Sequence, residues 1–341
     1  MSDFFETVRR FLLDYLPNQR CLSPNTILSY KQTLNLFVSW IREEKQIPTT
    51  QLCFSRIGNN FIIEFLSWLE DARGCSANTR NQRLMGLRSF FNYAGEMDCT
   101  NTALYLSALR IPSKKAPGKI VEALSDLALT ALFQQPDPTK TKELRNLVMM
   151  LLMYDTAARC GEILQMNICD LRLTVEHPIA YLHGKGNKTR TVPLLPKTVR
   201  HCAQYLRKFH PGKDAGSKAP LFYTVIHGTQ QRMSPDTVAA FLDKYGKIAA
   251  KVCPEVPAHI HPHMLRHSRA MGLYRMGMPM PLLSQYLGHA QVETTKIYAY
   301  ADTEMKRAAI AKADAVRNGM QAPDEIWADD EDMILRLSGL L

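Results

Sequence analysis

Eight cysteines are spread through the 341 residues, yet no two form a C-x-x-C pair and no zinc-finger rhythm is present. Long apolar runs are also missing. The longest, Leu147 to Tyr154, falls far short of the roughly 20 residues that span a bilayer. The opening Met1-Ser2-Asp3-Phe4-Phe5-Glu6 lacks the basic start and apolar run of a signal peptide. These absences argue against zinc-finger and membrane classes. They predict a cytoplasmic chain with reduced thiols and no membrane partner.

What is present is a basic globular protein. The hydrophobic share of 46% supports an ordinary interior, and the length suits two domains better than one. The formal charge is +10 and the pI about 9.2, unevenly distributed. Residues 1–119 hold 15 basic and 10 acidic side chains, 120–323 hold 26 and 16, and 324–341 hold 1 and 6. A basic body with an acidic tail suggests a polyanionic partner, of which nucleic acid is the commonest. Charge alone does not decide this, since many basic proteins bind no nucleic acid.

The first 110 residues read as helices. Ser23-Pro24 is an N-cap followed by proline at the first helical position, and Ile27, Leu34, Phe37, Val38 and Ile41 recur at helical spacing. A second start, Ser76-Ala77-Asn78-Thr79, precedes Leu84, Leu87, Phe90, Phe91 and Ala94, with Gly95 as the expected end. Opposite each apolar stripe stand polar or basic residues: Asn25, Ser29 and Lys31 in one helix, Arg80, Gln82 and Arg83 in the other. Ile111 to Lys119, with two prolines, a glycine and three lysines, breaks every periodicity and reads as an extended basic linker. Lys114 and Lys115 in such a strap can meet phosphates, although a solvated linker has the same composition.

Beyond it the pattern predicts helices over Glu143 to Asp155, Gly161 to Gln165, Ser234 to about Val252, and Pro262 to Gly277. Further short helices are expected over Pro281 to Leu287, about Glu293 to Tyr300, and Thr303 to Val316. Ile179 to His183 and Thr189 to Leu194 flank a Gly184-Lys185-Gly186-Asn187 turn, as in a β-hairpin. The second domain is thus mostly helical with a small sheet.

Within it lies a set of side chains suited to metal-free phosphodiester chemistry: Arg159, Lys185, His263, Arg266, His289 and Tyr298. Cations can hold non-bridging oxygens, histidines can move protons, and a phenol can be the nucleophile. His263 and Arg266 share a helix face near an N-terminus, where a phosphate is favoured. Arg159 interrupts an apolar run, and Glu162 is its natural partner. Taken singly, each has a plain reading: histidine and arginine as surface groups, Tyr298 as core, Lys185 as a solvated hairpin tip. Tyr300 rivals Tyr298. His259, His261, His263 and His267 could instead suggest zinc, but Pro262 turns His263 aside and no Asp or Glu flanks the cluster at ligand spacing. No metal site is assigned.

Taken together, these residues resemble the tyrosine recombinase (phage-integrase) family. The stretches that carry the resemblance are Thr156 to Glu162, His183 to Pro193, His263-Met-Leu-Arg-His267 and Leu287 to Tyr298, in family order and spacing. They span most of residues 120–310. One departure is Ala157, where the family commonly has glycine.

The resemblance implies a mainly α fold with a small β-sheet in the catalytic domain, built as a two-domain C-shaped clamp. Residues 1–110 would be a helical DNA core-binding domain and 111–119 the basic interdomain linker. The catalytic domain would cover 120–323, and 324–341 an acidic, apolar C-terminal tail. Tyr298 would attack the scissile phosphate to form a 3′-phosphotyrosyl link. Arg159 and Arg266 would grip its oxygens, Lys185 would protonate the leaving 5′-oxygen, and His263 would exchange the phenolic proton. His289 would bond the phosphoryl oxygen, with Glu162 in support. Asn25, Lys31, Asn78, Arg80, Arg83, Lys114 and Lys115 are the candidate DNA contacts. The resemblance implies no cofactor, a double-stranded DNA site, a homo-tetramer on DNA formed from free monomers, and room for accessory recombinase subunits. The tail could dock on a neighbouring protomer or on its own domain.

Two other functions remain open at this stage. A type IB topoisomerase shares the tyrosine chemistry but acts alone, and would relax DNA without recombinant products. A DNA-binding protein with a dead site would have lost some of the six catalytic residues.

Overall fold

Ser23 and Ser76 begin the two longest helices in the same way. Each hydroxyl accepts the backbone N–H three residues on, from Thr26 and Thr79, satisfying a donor the helix cannot. The helices they open are α2 (Pro24–Glu44) and α4 (Ala77–Met97). The computed structural model describes residues 3–58, 60–115, 122–184, 188–289, 291–301, 307, 310–311 and 331–337. Its contacts divide the chain into two compact units, Met1–Lys119 and Ile120–Leu341.

In the first unit, α1 (Asp3–Arg10) continues into a π-helical stretch over Phe11–Gln19, and α3 (Phe61–Asp71) and α5 (Thr102–Arg110) pack with α2 and α4. Phe4, Phe11, Phe37, Phe65, Phe90 and Phe91 are fully buried in one core. Their rings meet edge-to-face, as Phe4–Phe90 (5.5 Å) and Phe37–Phe65 (5.2 Å) do, the arrangement ring quadrupoles favour. Gly95 does not end α4, which runs on to Met97; the stop is Asp98, whose backbone turns extended (φ −147°, ψ 114°) and whose side chain accepts the Thr100 N–H that opens the next turn.

The second unit opens with α6 (Asp126–Phe133), capped by Ser125, and α7 (Thr141–Asp155), whose Leu144, Leu147, Val148 and Leu152 lie in the main core. Then come α8 (Cys160–Gln165), β1 (Leu171–Arg172), β2 (Ile179–His183) and β3 (Thr189–Pro193). The three strands form an antiparallel sheet in the order β1-β2-β3. Ala180, Leu182 and Val192 face the core, the alternation expected of a half-buried sheet. Next are α9 (Pro196–Phe209), a hairpin of β4 (Tyr223–Ile226) and β5 (Thr229–Arg232), and α10 (Pro235–Ala249). β1 and the β4–β5 hairpin carry too little apolar alternation to be read from the sequence.

The chain continues through α11 (Pro262–Arg275), α12 (Met280–Leu287), a 3₁₀ turn over Val292–Thr295 and α13 (Lys296–Ala301). Of the tail, Glu331–Leu337 is helical (α14). The helix expected over Thr303 to Val316 lies mostly outside the described residues, as do Lys185 and most of the tail. No described helix is long and apolar enough to cross a membrane.

Candidate active site

Three arginines converge on one helix end. At the C-terminus of α12, Arg190 Nε donates to the Tyr286 carbonyl at 3.0 Å, Arg266 Nη2 to Leu287 at 2.8 Å, and Arg159 Nη2 to Gly288 at 3.5 Å. The last carbonyls of a helix have no partners within it and carry its negative dipole end. Cationic donors are therefore drawn there. The arrangement requires Gly288: its φ is +65°, and a Cβ would stand 2.9 Å from Arg190 Nη1.

Each arginine comes from a different element. After α7 the chain turns at Ala157, whose φ is +47°, and the Ala157 carbonyl accepts Arg266 Nη1 at 2.7 Å. Arg159 stands at the N-cap of α8, and Arg190 on β3 pairs in register with Leu182. Arg266, on α11, is only 3% exposed. Burial first, then repulsion from Arg159, lowers its pKa to about 10, so it stays cationic near neutrality.

Glu162 ties two of them together. Its carboxylate accepts Arg159 N and Nη1, both at 2.8 Å, and Arg190 Nη1 and Nη2 at 3.0 and 2.9 Å. Burial pushes this carboxyl upward, but the Arg190 and Arg159 bonds outweigh it and hold it below its ordinary range. Gly184, whose N–H donates to the Lys188 carbonyl across the neck of the β2–β3 hairpin, lies beside the same carboxylate. Lys185 follows Gly184 but is outside the described residues.

Two histidines, His289 and His267, are held neutral. His289 Nδ1 lies 2.8 Å from Thr295 Oγ1. Burial, then Arg266, Arg159 and Arg190, lowers its pKa to about 4. His267 Nδ1 lies 3.0 Å from the Tyr298 hydroxyl. Its pKa also falls to about 4, by burial and then the charges of His263 and Arg266. His263 is exposed on α11, its ring centroid 6.3 Å from that of His267. Tyr298 is 0% exposed, packed in a small cluster with Ala157, Ala270, Met271, Leu283 and Leu287. Burial raises its phenol, while Arg266 and Arg159 pull it down. The side chain of Tyr300 lies outside the described residues.

The profile described as the phage integrase family matches residues 123–305, more than half of the chain, and its N-terminal SAM-like domain matches 9–98. The chain belongs to the phage integrase family. The integrase/recombinase-type protein y4rC of Sinorhizobium fredii is 32% identical over 303 residues, covering 89% of each chain. Tyrosine recombinase XerC of Psychromonas ingrahamii is 28% identical, over 85% of this chain and 90% of its own. Among solved structures, the Tn1549 transposon integrase in complex with transposon right end DNA superposes with a TM-score of 0.65 at 15% identity, covering 94% of this chain and 98% of its own. XerH site-specific recombinase bound to a palindromic difH substrate gives 0.63 at 23%, covering 86% and 81%. At these identities the likeness is one of fold.

In this phage-integrase chain the structure brings Arg159, Glu162, Arg266, His289 and Tyr298 into one site on the second unit. Sequence reasoning missed two members. Arg190 lies inside the His183 to Pro193 stretch, but only the folded chain shows that its guanidinium meets Glu162. His267 closes the His263-Met-Leu-Arg-His267 stretch and belongs to the histidine cluster, but no catalytic role is assigned to it there, although its i,i+4 spacing from His263 puts it on the same helix face. The rest of the histidine cluster is drawn to carboxylates that are remote in sequence: His261 Nε2 lies 3.3 Å from Glu122, and His259 Nδ1 3.7 Å from Asp243.

The candidate DNA contacts separate into two groups. Asn25, Lys31, Asn78 and Lys115 are exposed. Arg80 is not on an open polar face: it is 6% exposed and donates to the Pro112 carbonyl at 2.9 Å. Arg83 Nη1 is turned to α2, 3.0 Å from Thr33 Oγ1. Lys114 is paired with Glu70 at 2.8 Å, and its backbone is stapled to Asn81. The start of the expected linker is thus tied down on α4, because its carbonyls are the acceptors that Arg80 and Asn81 need once they are packed there.

Proposed function

We propose that this chain breaks and rejoins DNA strands at a specific duplex site, with Tyr298 as the nucleophile. Family membership carries the reaction class, that of a tyrosine-type site-specific DNA recombinase. The observation that supports the nucleophile is the buried Tyr298 phenol, which both Arg266 and Arg159 pull toward ionisation. A phenol of pKa near 10 needs such neighbours and a proton acceptor to attack near neutral pH.

Arg159 and Arg266 hold the non-bridging oxygens of the scissile phosphate. Each Nη carries two hydrogens, so Arg266 can bind the Ala157 and Leu287 carbonyls and still offer N–H groups to phosphate. His289 adds a bond to a phosphoryl oxygen, and His263 faces the same group from the helix start. Glu162 and Arg190 fix Arg159. Attack by Tyr298 Oη forms a 3′-phosphotyrosyl bond, and Lys185 protonates the departing 5′-oxygen. The covalent link conserves the energy of the phosphodiester, so rejoining needs no ATP, and arginine supplies the charge a metal ion would bring. Tyr298 is fully buried, so its Oη must be uncovered on one side, with its contact to α11 kept, for a phosphate to reach it.

The exposed residues Asn25, Lys31, Asn78 and Lys115 are assigned to DNA. The partner is a double-stranded recombination site in the cytoplasm. Assembly is as a homo-tetramer on DNA, from monomers, with the tail bridging protomers. The test is covalent trapping. Wild-type protein selects a nicked duplex from a random-sequence pool by forming an adduct, and Tyr298→Phe should form none on that duplex while still binding it. Adducts surviving in Tyr298→Phe and vanishing in Tyr300→Phe would move the nucleophile.

A further inference from the structure

His267 was assigned no part in the reaction by the resemblance, which gave the phenolic proton to His263. Its place in the fold is nevertheless specific. His263, Arg266 and His267 stand at i, i+3 and i+4 on α11, and so share one face. α13 packs on that face and brings Tyr298 Oη to 3.0 Å from His267 Nδ1, with ring centroids 5.8 Å apart. A buried hydroxyl must donate or go unsatisfied.

We propose that His267 is a catalytic residue that holds the Tyr298 hydroxyl and accepts its proton through Nδ1 as Oη attacks the scissile phosphate. The proposal rests on the reading of Tyr298 as nucleophile. In the step, the Oη–H proton passes to Nδ1 and the Oη–P bond forms. The P–O5′ bond breaks, and the 5′-oxygen takes a proton from the Lys185 ammonium. Rejoining reverses each transfer, so His267 and Lys185 return to their starting states.

Two features fit this role. His267 starts neutral, as an acceptor must, with its pKa at about 4. The groups facing it are His261, His263 and Arg266 on its own side, Tyr298 from α13, Glu122 before α6, and His289 beyond α12. A bound phosphodiester brings a negative charge to Arg266, cancelling part of the repulsion that disfavours the imidazolium. His267 therefore becomes a better base when the substrate arrives.

The experiment uses the full-length chain and the nicked duplex selected by wild-type protein. An asparagine at 267 places an amide oxygen near Nδ1, so it can hold the phenol but cannot take its proton. His267→Ala and His267→Asn should each slow adduct formation by about 100-fold or more, with duplex binding retained. In both, the residual rate should climb with pH as hydroxide replaces the missing base, a rise that wild type lacks. A wild-type rate and pH profile in His267→Asn would overturn the proposal, leaving a holding role only. If Tyr298→Phe still forms adducts, the nucleophile reading fails instead, and the two failures are told apart.

Discussion

Glu162 accepts both Nη nitrogens of Arg190, at 3.0 and 2.9 Å, while holding Arg159 with the same carboxylate. The charge balance of the site turns on this fork. Removing one partner of a buried ion pair strands the other, at a cost of about 3–5 kcal/mol. Glu162→Ala and Arg190→Ala should each lower unfolding stability on that order in urea titration. Arg190→Lys should recover only part of it, since an ammonium cannot reproduce two parallel bonds. Full recovery by lysine would mean that charge, and not the fork, matters.

Acid should weaken the fold in two stages. His267 and His289 have folded pKa values of about 4 against ordinary values of 6.5. Below 6.5 the unfolded chain binds protons that the folded site refuses, so stability is full above that value and is lost as pH falls toward 4. The loss is at most about 3 kcal/mol for each histidine. Glu162 adds a second stage: its depressed pKa gives stability present above 4.5 and lost as pH falls through the lower folded value. Urea unfolding at pH 7, 5.5 and 4.5 should show the first stage, and His289→Asn should flatten it. An unchanged slope in that variant would remove His289 as a source.

Ala157 sits at φ +47° where the family commonly has glycine. The left-handed region costs a non-glycine residue about 1–2 kcal/mol. The methyl it buries is worth about 0.8 kcal/mol. Ala157→Gly should therefore be close to neutral. Ala158→Gly, equally buried but without positive φ, should cost about 1 kcal/mol or more. Equal losses in thermal unfolding would show that the Ala157 turn is not strained.

Much of this was legible in the sequence because the signals were local. Ser23, Ser76 and Ser234 are caps whose bonds form within three residues. Arg159, Arg266 and Tyr298 stand in spaced motifs. What was illegible depends on partners far along the chain. Arg80 looked like a surface cation until Pro112, 32 residues on, proved to be its acceptor. Arg190 meets Glu162 across 28 residues, and His267 meets Tyr298 across 31. No periodicity within a helix or strand encodes such pairings.

The acidic tail tests assembly. It pairs a charge opposite to that of the body with Ile326, Trp327, Leu335 and Leu340, suited to an apolar groove on a basic neighbour. Deleting residues 324–341 should weaken multimer formation on DNA more than binding to a single site, read as the ratio of shifted complexes in gel electrophoresis. Equal loss of both would place the tail on its own unit.

Lys185 offers the sharpest division of labour. If its ammonium protonates the leaving 5′-oxygen, a leaving group that needs no proton should make it dispensable. A thiol has a pKa of about 8.5 and departs as the thiolate, whereas an alkoxide must be protonated. Lys185→Ala should therefore slow cleavage of the normal duplex by about 100-fold or more, and regain most of the wild-type rate on a duplex with a 5′-bridging sulfur. His267→Asn should not be rescued by sulfur, because its defect lies on the attacking oxygen. The two variants thus separate the proton that leaves the phenol from the proton that reaches the 5′ end. Rescue of both by sulfur would merge those roles and remove His267 from proton transfer.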